Sequence, residues 1–134
     1  MKDVRHLASI PRVGHVHVDA VLSAERSETV RMLVDTGATY SLVSSELATR
    51  LGMPRLPKRT RVRLADGSVR RVDIGIARLR LEGREAAPTF IIGRAAEPLL
   101  GVEALEALGL AVDPSTGKLM PTRSAALLLA RLAS

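Results

Sequence analysis

Apolar and polar residues alternate from Val13 to Leu22, with Val16, Val18, Ala20 and Leu22 on one side and His15, His17, Asp19 and Val21 on the other. A period of two predicts a strand with one face buried. A polar turn around Arg26-Ser27-Glu28 then returns the chain into a second strand, Thr29 to Val34. Ser44 to Gly52 carries a serine cap, an acid in the first turn (Glu46), Arg50 in the last and a terminating glycine, which predicts a short helix. Beyond Pro54 and Pro57, Thr60 to Leu64 and Ser68 to Ile74 alternate around Ala65-Asp66-Gly67, and Asp-Gly between two such runs signals a hairpin. Ile76 to Leu81 extends that second strand, with a phase slip between Ile76 and Ala77 that predicts a bulge. Thr89 to Ile92 reads as a further strand, and Val102 to Leu108 as a second short helix closed by Gly109. Ala111 to Val112 and Lys118 to Met120 flank a turn at Pro114 to Gly117. Apolar strand, glycine turn and short helix occur twice, over Leu33 to Leu51 and Ile91 to Leu108. Most of the remainder is short strand, so the expected class is mainly β.

A chain of 134 residues holds one domain with a modest core. The boundaries expected are an N-terminal extension over 1–12, the domain over 13–121 and a helical-looking tail over 122–134. Leu127, Leu128, Leu129 and Leu132 in that tail suit an amphipathic helix docked on its own domain or on a partner. Tyr40 and Phe90 are the only aromatic residues, so the core must be aliphatic. With no cysteine, disulfides and thiolate metal sites are excluded. The formal charge of +6 rests on seventeen Arg against three Lys. The arginines are spread along the chain, and the tightest run, Arg59, Arg61 and Arg63, alternates with Thr60, Val62 and Leu64. That is the polar face of a half-buried strand, and without aromatic platforms nucleic-acid binding is not expected. Met1 to Val18 has no apolar stretch of signal-peptide length. The longest apolar run, Ala125 to Ala130, is far short of the roughly 20 residues that span a bilayer, so a soluble, cytoplasmic protein with no membrane contact is expected.

The candidate chemistry centres on Val34-Asp35-Thr36-Gly37-Ala38. Met32-Leu33-Val34 reads as the end of a buried strand, and Asp35 then stands where the strand stops, beside a glycine free to take backbone angles closed to other residues. A carboxylate held there with a hydroxyl beside it is poised for chemistry, although Asp is also an ordinary turn former that bonds its own backbone. Asp66 and Asp113 fit hairpin and turn roles. His15, His17 and Asp19 share one strand face at alternate positions, a spacing open to a metal. The opposite face is apolar, so these three should point to solvent, and no metal or other cofactor is expected.

Three elements in this order resemble the retropepsin-like aspartic proteases, and the single-domain bacterial and retroelement-like branches more than the viral one. They are the Asp-Thr-Gly-Ala turn (Asp35, Thr36, Gly37, Ala38), a glycine-tipped hairpin about 30 residues later (Ala65, Asp66, Gly67, Ser68), and an apolar-apolar-glycine step before a helix (Leu99, Leu100, Gly101). The resemblance spans about Val13 to Pro121. It implies an acid-protease fold, a closed, barrel-like β domain with one or two short helices that forms half of a symmetric dimer. It further implies an aspartic endopeptidase that hydrolyses peptide bonds in a peptide or protein substrate. Asp35 would supply the catalytic carboxylate, Thr36 and Gly37 would shape the turn, Ala65 to Ser68 would form a flap, and Leu99 to Gly101 would pack beneath the site. Asp19, Asp66 and Asp113 do not provide a second Asp-Thr-Gly, so the dyad would be completed by Asp35 of a second copy. Viral members carry acidic residues after the turn and an Arg-Asn or Arg-Asp pair after the later glycine. Here Thr39 and Tyr40, and Val102 and Glu103, take those places, which bears on dimer strength and not on the dyad. The rival reading from a different class is a non-catalytic dimerisation or peptide-binding module on the same fold.

Overall fold

The computed structural model describes residues 16–64 and 66–122. The expected N-terminal extension, flap residue Ala65 and the tail from 123 onward lie outside the described residues. β1 (Val16–Ser23) and β2 (Ser27–Val34) form the antiparallel hairpin the alternation predicts, in register from Val16↔Val34 to Ser23↔Ser27. Ala20 and Leu22 from β1, with Val30, Met32 and Val34 from β2, enter the core. His17 does not simply face solvent: its Nε2 lies 2.9 Å from Glu97 Oε1, tying β1 to the loop before Pro98.

After the Asp35 turn comes β3 (Ser41–Ser44), a strand the sequence reading lacks because its polar ends merge with the helix cap. It leads directly into α1 (Ser45–Leu51). The Ser44 hydroxyl accepts from the Leu47 N–H at 3.1 Å, and Gly52 closes the helix at φ 67°. Leu47, Ala48 and Leu51 are buried, while Arg50 reaches back to grip both carboxylate oxygens of Glu28 on β2, at 2.9 and 2.8 Å.

β4 (Thr60–Arg63) and β5 (Val69–Gly75) form the expected hairpin, but the slip at Ile76 is not a bulge. β5 stops at Gly75 and β6 (Arg78–Leu81) begins a new strand, because the chain changes partners there: β5 pairs with β8 (Phe90–Gly93), β6 with β1. Ile76 is half exposed at 50% and Ala77 is buried, which produces the phase slip in the sequence. A tight turn with positive φ at Glu82 (53°) and Gly83 (74°) joins β6 to β7 (Arg84–Ala86), the geometry of a primed hairpin turn. β9 (Leu99–Leu100) precedes α2 (Val102–Leu108), and β10 (Leu110–Val112) pairs with β11 (Leu119–Pro121).

The main sheet orders its strands β4-β5-β8-β3-β9-β2-β1-β6-β7. At its centre the two copies of the strand–turn–helix pattern interlock. β2 runs parallel to β9 (Leu33↔Leu99, Val34↔Leu100), and β3 runs parallel to β8 (Ser41↔Phe90 to Ser44↔Gly93). Each unit lends its first strand to the other's second, which brings the turn after β2 against the segment after β9. Phe90, Val43, Leu100, Leu79 and Leu105 fill the core around this crossing. The chain is mainly β, with two short helices among the described residues.

Candidate active site

Asp35 follows the last residue of β2, where the parallel pairing with β9 sets its position: its N–H donates to the Leu100 carbonyl at 2.9 Å. The turn then closes on the carboxylate. The Gly37 N–H donates to Asp35 Oδ1 at 3.0 Å, and the Ala38 N–H to the Asp35 carbonyl at 3.1 Å. A Cβ at position 37 would stand 3.3 Å from that same Oδ1, so glycine leaves the carboxylate room to accept. Among the described residues Asp35 Oδ2 has no hydrogen-bond partner, and neither does the Thr36 hydroxyl, which is exposed.

The segment after β9 completes the floor. The Val102 N–H donates to the Ala38 carbonyl (2.8 Å), the Glu103 N–H to the Thr39 carbonyl (2.9 Å), and the Gly101 N–H to Ser41 Oγ (3.1 Å). Ser41 is wholly buried, so its hydroxyl satisfies a backbone donor that water cannot reach. Thus Asp35 to Ala38 and Leu99 to Gly101, about 60 residues apart in sequence, share one hydrogen-bonded unit. Glu103 then fastens α2 to the residue before β8: its two oxygens accept from the Thr89 N–H at 2.8 Å and the Thr89 hydroxyl at 3.1 Å.

Above the turn, a groove of about 540 Å³ runs between Asp35 and the β4–β5 hairpin. Leu42, Val62, Val72, Ile91 and Leu99 make it mostly apolar, with Asp35 at its floor and Tyr40 at its side. Of the hairpin tip, Asp66, Gly67 and Ser68 are exposed and stand beyond this lining, so the strands rather than the tip wall the groove. Sequence reasoning missed these wall residues. The available signal was the phase of the hairpin's alternation, which sets Val62 and Val72 on its apolar face. A larger recess of about 730 Å³ lies on the other side of β5 and contains Arg55, Arg59 and Asp73; Asp35 has no part in it.

The tip itself is built by an aspartate. Asp66 Oδ1 accepts from the Ser68 N–H (2.9 Å) and the Ser68 hydroxyl (2.6 Å). The Ser68 hydroxyl first, and its amide second, hold the Asp66 carboxyl below its ordinary range. A group whose folded pKa is depressed stabilises above its unfolded pKa, and that contribution is lost as pH falls through the folded one. Amide hydrogen exchange in the β4–β5 turn should therefore accelerate, relative to the β1–β2 hairpin, as pH drops below about 4. Ser68→Ala should raise the Asp66 titration seen by carboxyl NMR. A titration unmoved by Ser68→Ala would show that this pair does not hold the turn.

Residues 25–107 match the sequence profile of the family described as gag-polyprotein putative aspartyl protease. No curated protein matches the chain by sequence. Among solved structures, the EIAV protease complexed with the inhibitor HBY-793 superposes with a TM-score of 0.55 at 20% identity, over 71% of this chain and 88% of that one. The retroviral protease-like domain of Ddi1 from Leishmania major gives a TM-score of 0.55 at 20% identity, over 80% of this chain and 87% of that one. At such identities the likeness is one of fold.

Proposed function

The chain belongs to the gag-polyprotein aspartyl protease family and has the retropepsin-like fold, and from that premise we propose that it is an aspartic endopeptidase acting as a symmetric homodimer. The observation that carries this reading is the placement of Asp35: a carboxylate with one oxygen fixed by Gly37, on the floor of an apolar groove. Since the sequence contains one Asp-Thr-Gly, the second carboxylate comes from a second copy. Two carboxylates brought together at a shared axis share a proton, because like charges in close contact do not both ionise. The ionised one takes a proton from water as the water oxygen attacks the scissile carbonyl carbon. The protonated one gives its proton to the carbonyl oxygen. When the tetrahedral intermediate collapses, the carboxyl that took the water's proton gives it to the leaving nitrogen and the C–N bond breaks. The other carboxylate takes the proton of one diol hydroxyl as that oxygen becomes the carbonyl of the new acid, which restores the singly protonated dyad. The hairpin above the groove would exclude bulk water from this exchange, and no metal or cofactor enters the proposed reaction.

The test is a diverse peptide mixture incubated with the full chain from acidic to neutral pH and read by mass spectrometry. Cleavage is expected, with a rate per chain that falls on dilution as dimers dissociate. A rate per chain independent of dilution would refute the shared dyad. No cleavage by a chain shown to be dimeric would favour a peptide-binding module.

A further inference from the structure

The chain's excess of positive charge is concentrated in one place. Between Arg55 and Arg71 lie seven cations and one acid, so this segment carries the whole formal +6 and the rest of the sequence balances. Along an isolated strand these arginines are ordinary solvated side chains; the β4–β5 pairing sets Arg61, Arg63, Arg70 and Arg71 on two adjacent strands. In its register Arg61 stands directly opposite Arg71, and Arg70 directly opposite Val62. Like charges paired across strands disfavour the hairpin, and among the described residues no acid forms a salt bridge with Arg61 or Arg71. Asp73 is taken up by Arg55 and Arg59, each at 3.4 Å, and Asp66 by Ser68. Among the described residues Arg61, Arg63, Arg70 and Arg71 are exposed and have no salt-bridge partner. Two of them adjoin the groove: Arg63 lines it, and Arg70 shares a hairpin face with Val62, which also lines it.

We propose that this hairpin is a recognition surface for acidic residues of the polypeptide that occupies the groove, so that the site selects substrates with Asp or Glu beside the apolar stretch that is cut. The inference rests on the peptidase reading for the word substrate, but not for the binding. The ligand is a polypeptide and not a nucleic acid, because the described hairpin residues include no aromatic side chain to stack bases, and the rest of the groove offers a single ring, Tyr40, beside the carboxylate of Asp35 and aliphatic side chains.

Binding is measured on the full-length Asp35→Asn chain by fluorescence anisotropy. Three labelled peptides share one apolar centre and differ in having Glu, Gln or Lys on both flanks. Exposed ion pairs change affinity by a factor of about 1.4 to 5 each, so four of them at about twofold each predict that the Glu peptide binds on the order of tenfold tighter than the Gln peptide. That margin should shrink several-fold in high salt. Arg63→Gln with Arg70→Gln, beside the groove, should narrow the margin most; Arg61→Gln with Arg71→Gln, on the hairpin face opposite Val62, should narrow it less. Arg78→Gln with Arg80→Gln, on β6, should leave it intact. Equal affinity for the three peptides overturns the proposal. So does a single-stranded oligonucleotide of equal charge that binds tighter than the Glu peptide. Cleavage by the native chain is scored separately: an acidic preference without cleavage refutes the peptidase reading alone, cleavage without charge preference refutes this inference alone, and binding of no peptide refutes both.

Discussion

Asp35→Asn is expected to lower peptide cleavage by about 10²- to 10⁴-fold or more, the range for losing a positioned general acid–base group, while leaving the fold intact. The fold should survive because what the turn asks of residue 35 is an acceptor. The Gly37 N–H bonds one side-chain oxygen, the Ala38 N–H bonds the backbone carbonyl, and the residue's own N–H bonds Leu100. An asparagine amide oxygen accepts from Gly37 equally well, and it carries no charge. If two carboxylates do meet there, the substitution relieves a like-charge pair, so thermal stability should hold or rise. Mixing excess variant with native chain should suppress the remaining activity, as each native chain is captured by a partner without a carboxylate. Circular dichroism and a melting curve accompany the rate measurement. A variant that fails to fold would make Asp35 a structural turn residue, and full activity in a folded variant would remove it from the chemistry.

What the sequence discloses about this molecule is mostly local. The β1–β2 hairpin is visible because one face is buried along its length, so Ala20, Leu22, Val30 and Met32 repeat with period two. α1 and α2 are visible because Ser44, Gly52 and Gly109 act within their own helix turns. The strand ends that depend on distant partners are not. β3 is four residues long and is a strand because β8, nearly fifty residues later, lies parallel to it on one side and β9 flanks it on the other. β5 and β6 read as one strand because nothing local reports that one pairs with β8 and the other with β1. The candidate site divides in the same way. Asp35, Gly37 and the Leu99-Leu100-Gly101 step stand out as motifs. Ser41, Glu103 and the groove walls gain their roles only when the two strand–turn–helix units interlock; the charge on the hairpin lies in one contiguous segment, Arg55 to Arg71, and is legible in the sequence as a net excess.

Gly101→Ala is expected to damage both stability and activity, and it tests that interlock directly. Gly101 takes φ −92° and ψ 177°, extended backbone that any residue adopts, so the demand for glycine is not conformational. It comes from proximity: a Cβ there would lie 2.6 Å from both the carbonyl carbon and the oxygen of Tyr40, and 2.9 Å from the Thr39 carbonyl oxygen. These are backbone atoms of the loop that carries Asp35. That loop is pinned on both sides, through Val102 and Glu103 to the Ala38 and Thr39 carbonyls and through Gly101 to buried Ser41. No side chain can rotate away, so one methyl group must push the two segments apart and stretch those bonds. Overpacking of this kind costs about 1–3 kcal/mol, and the absence of any flexible neighbour places this case toward the upper end. Because the displaced loop sets where the Asp35 carboxylate sits in the groove, cleavage should fall further than the loss of folded protein accounts for. Gly93→Ala provides the comparison: its Cβ would meet nothing nearer than a Leu42 methyl at 3.9 Å, and the change should alter stability little. If Gly101→Ala melts and cleaves as the native chain does, the two segments are not packed as closely as this structure has them, and Asp35 does not depend on the step after β9 for its position.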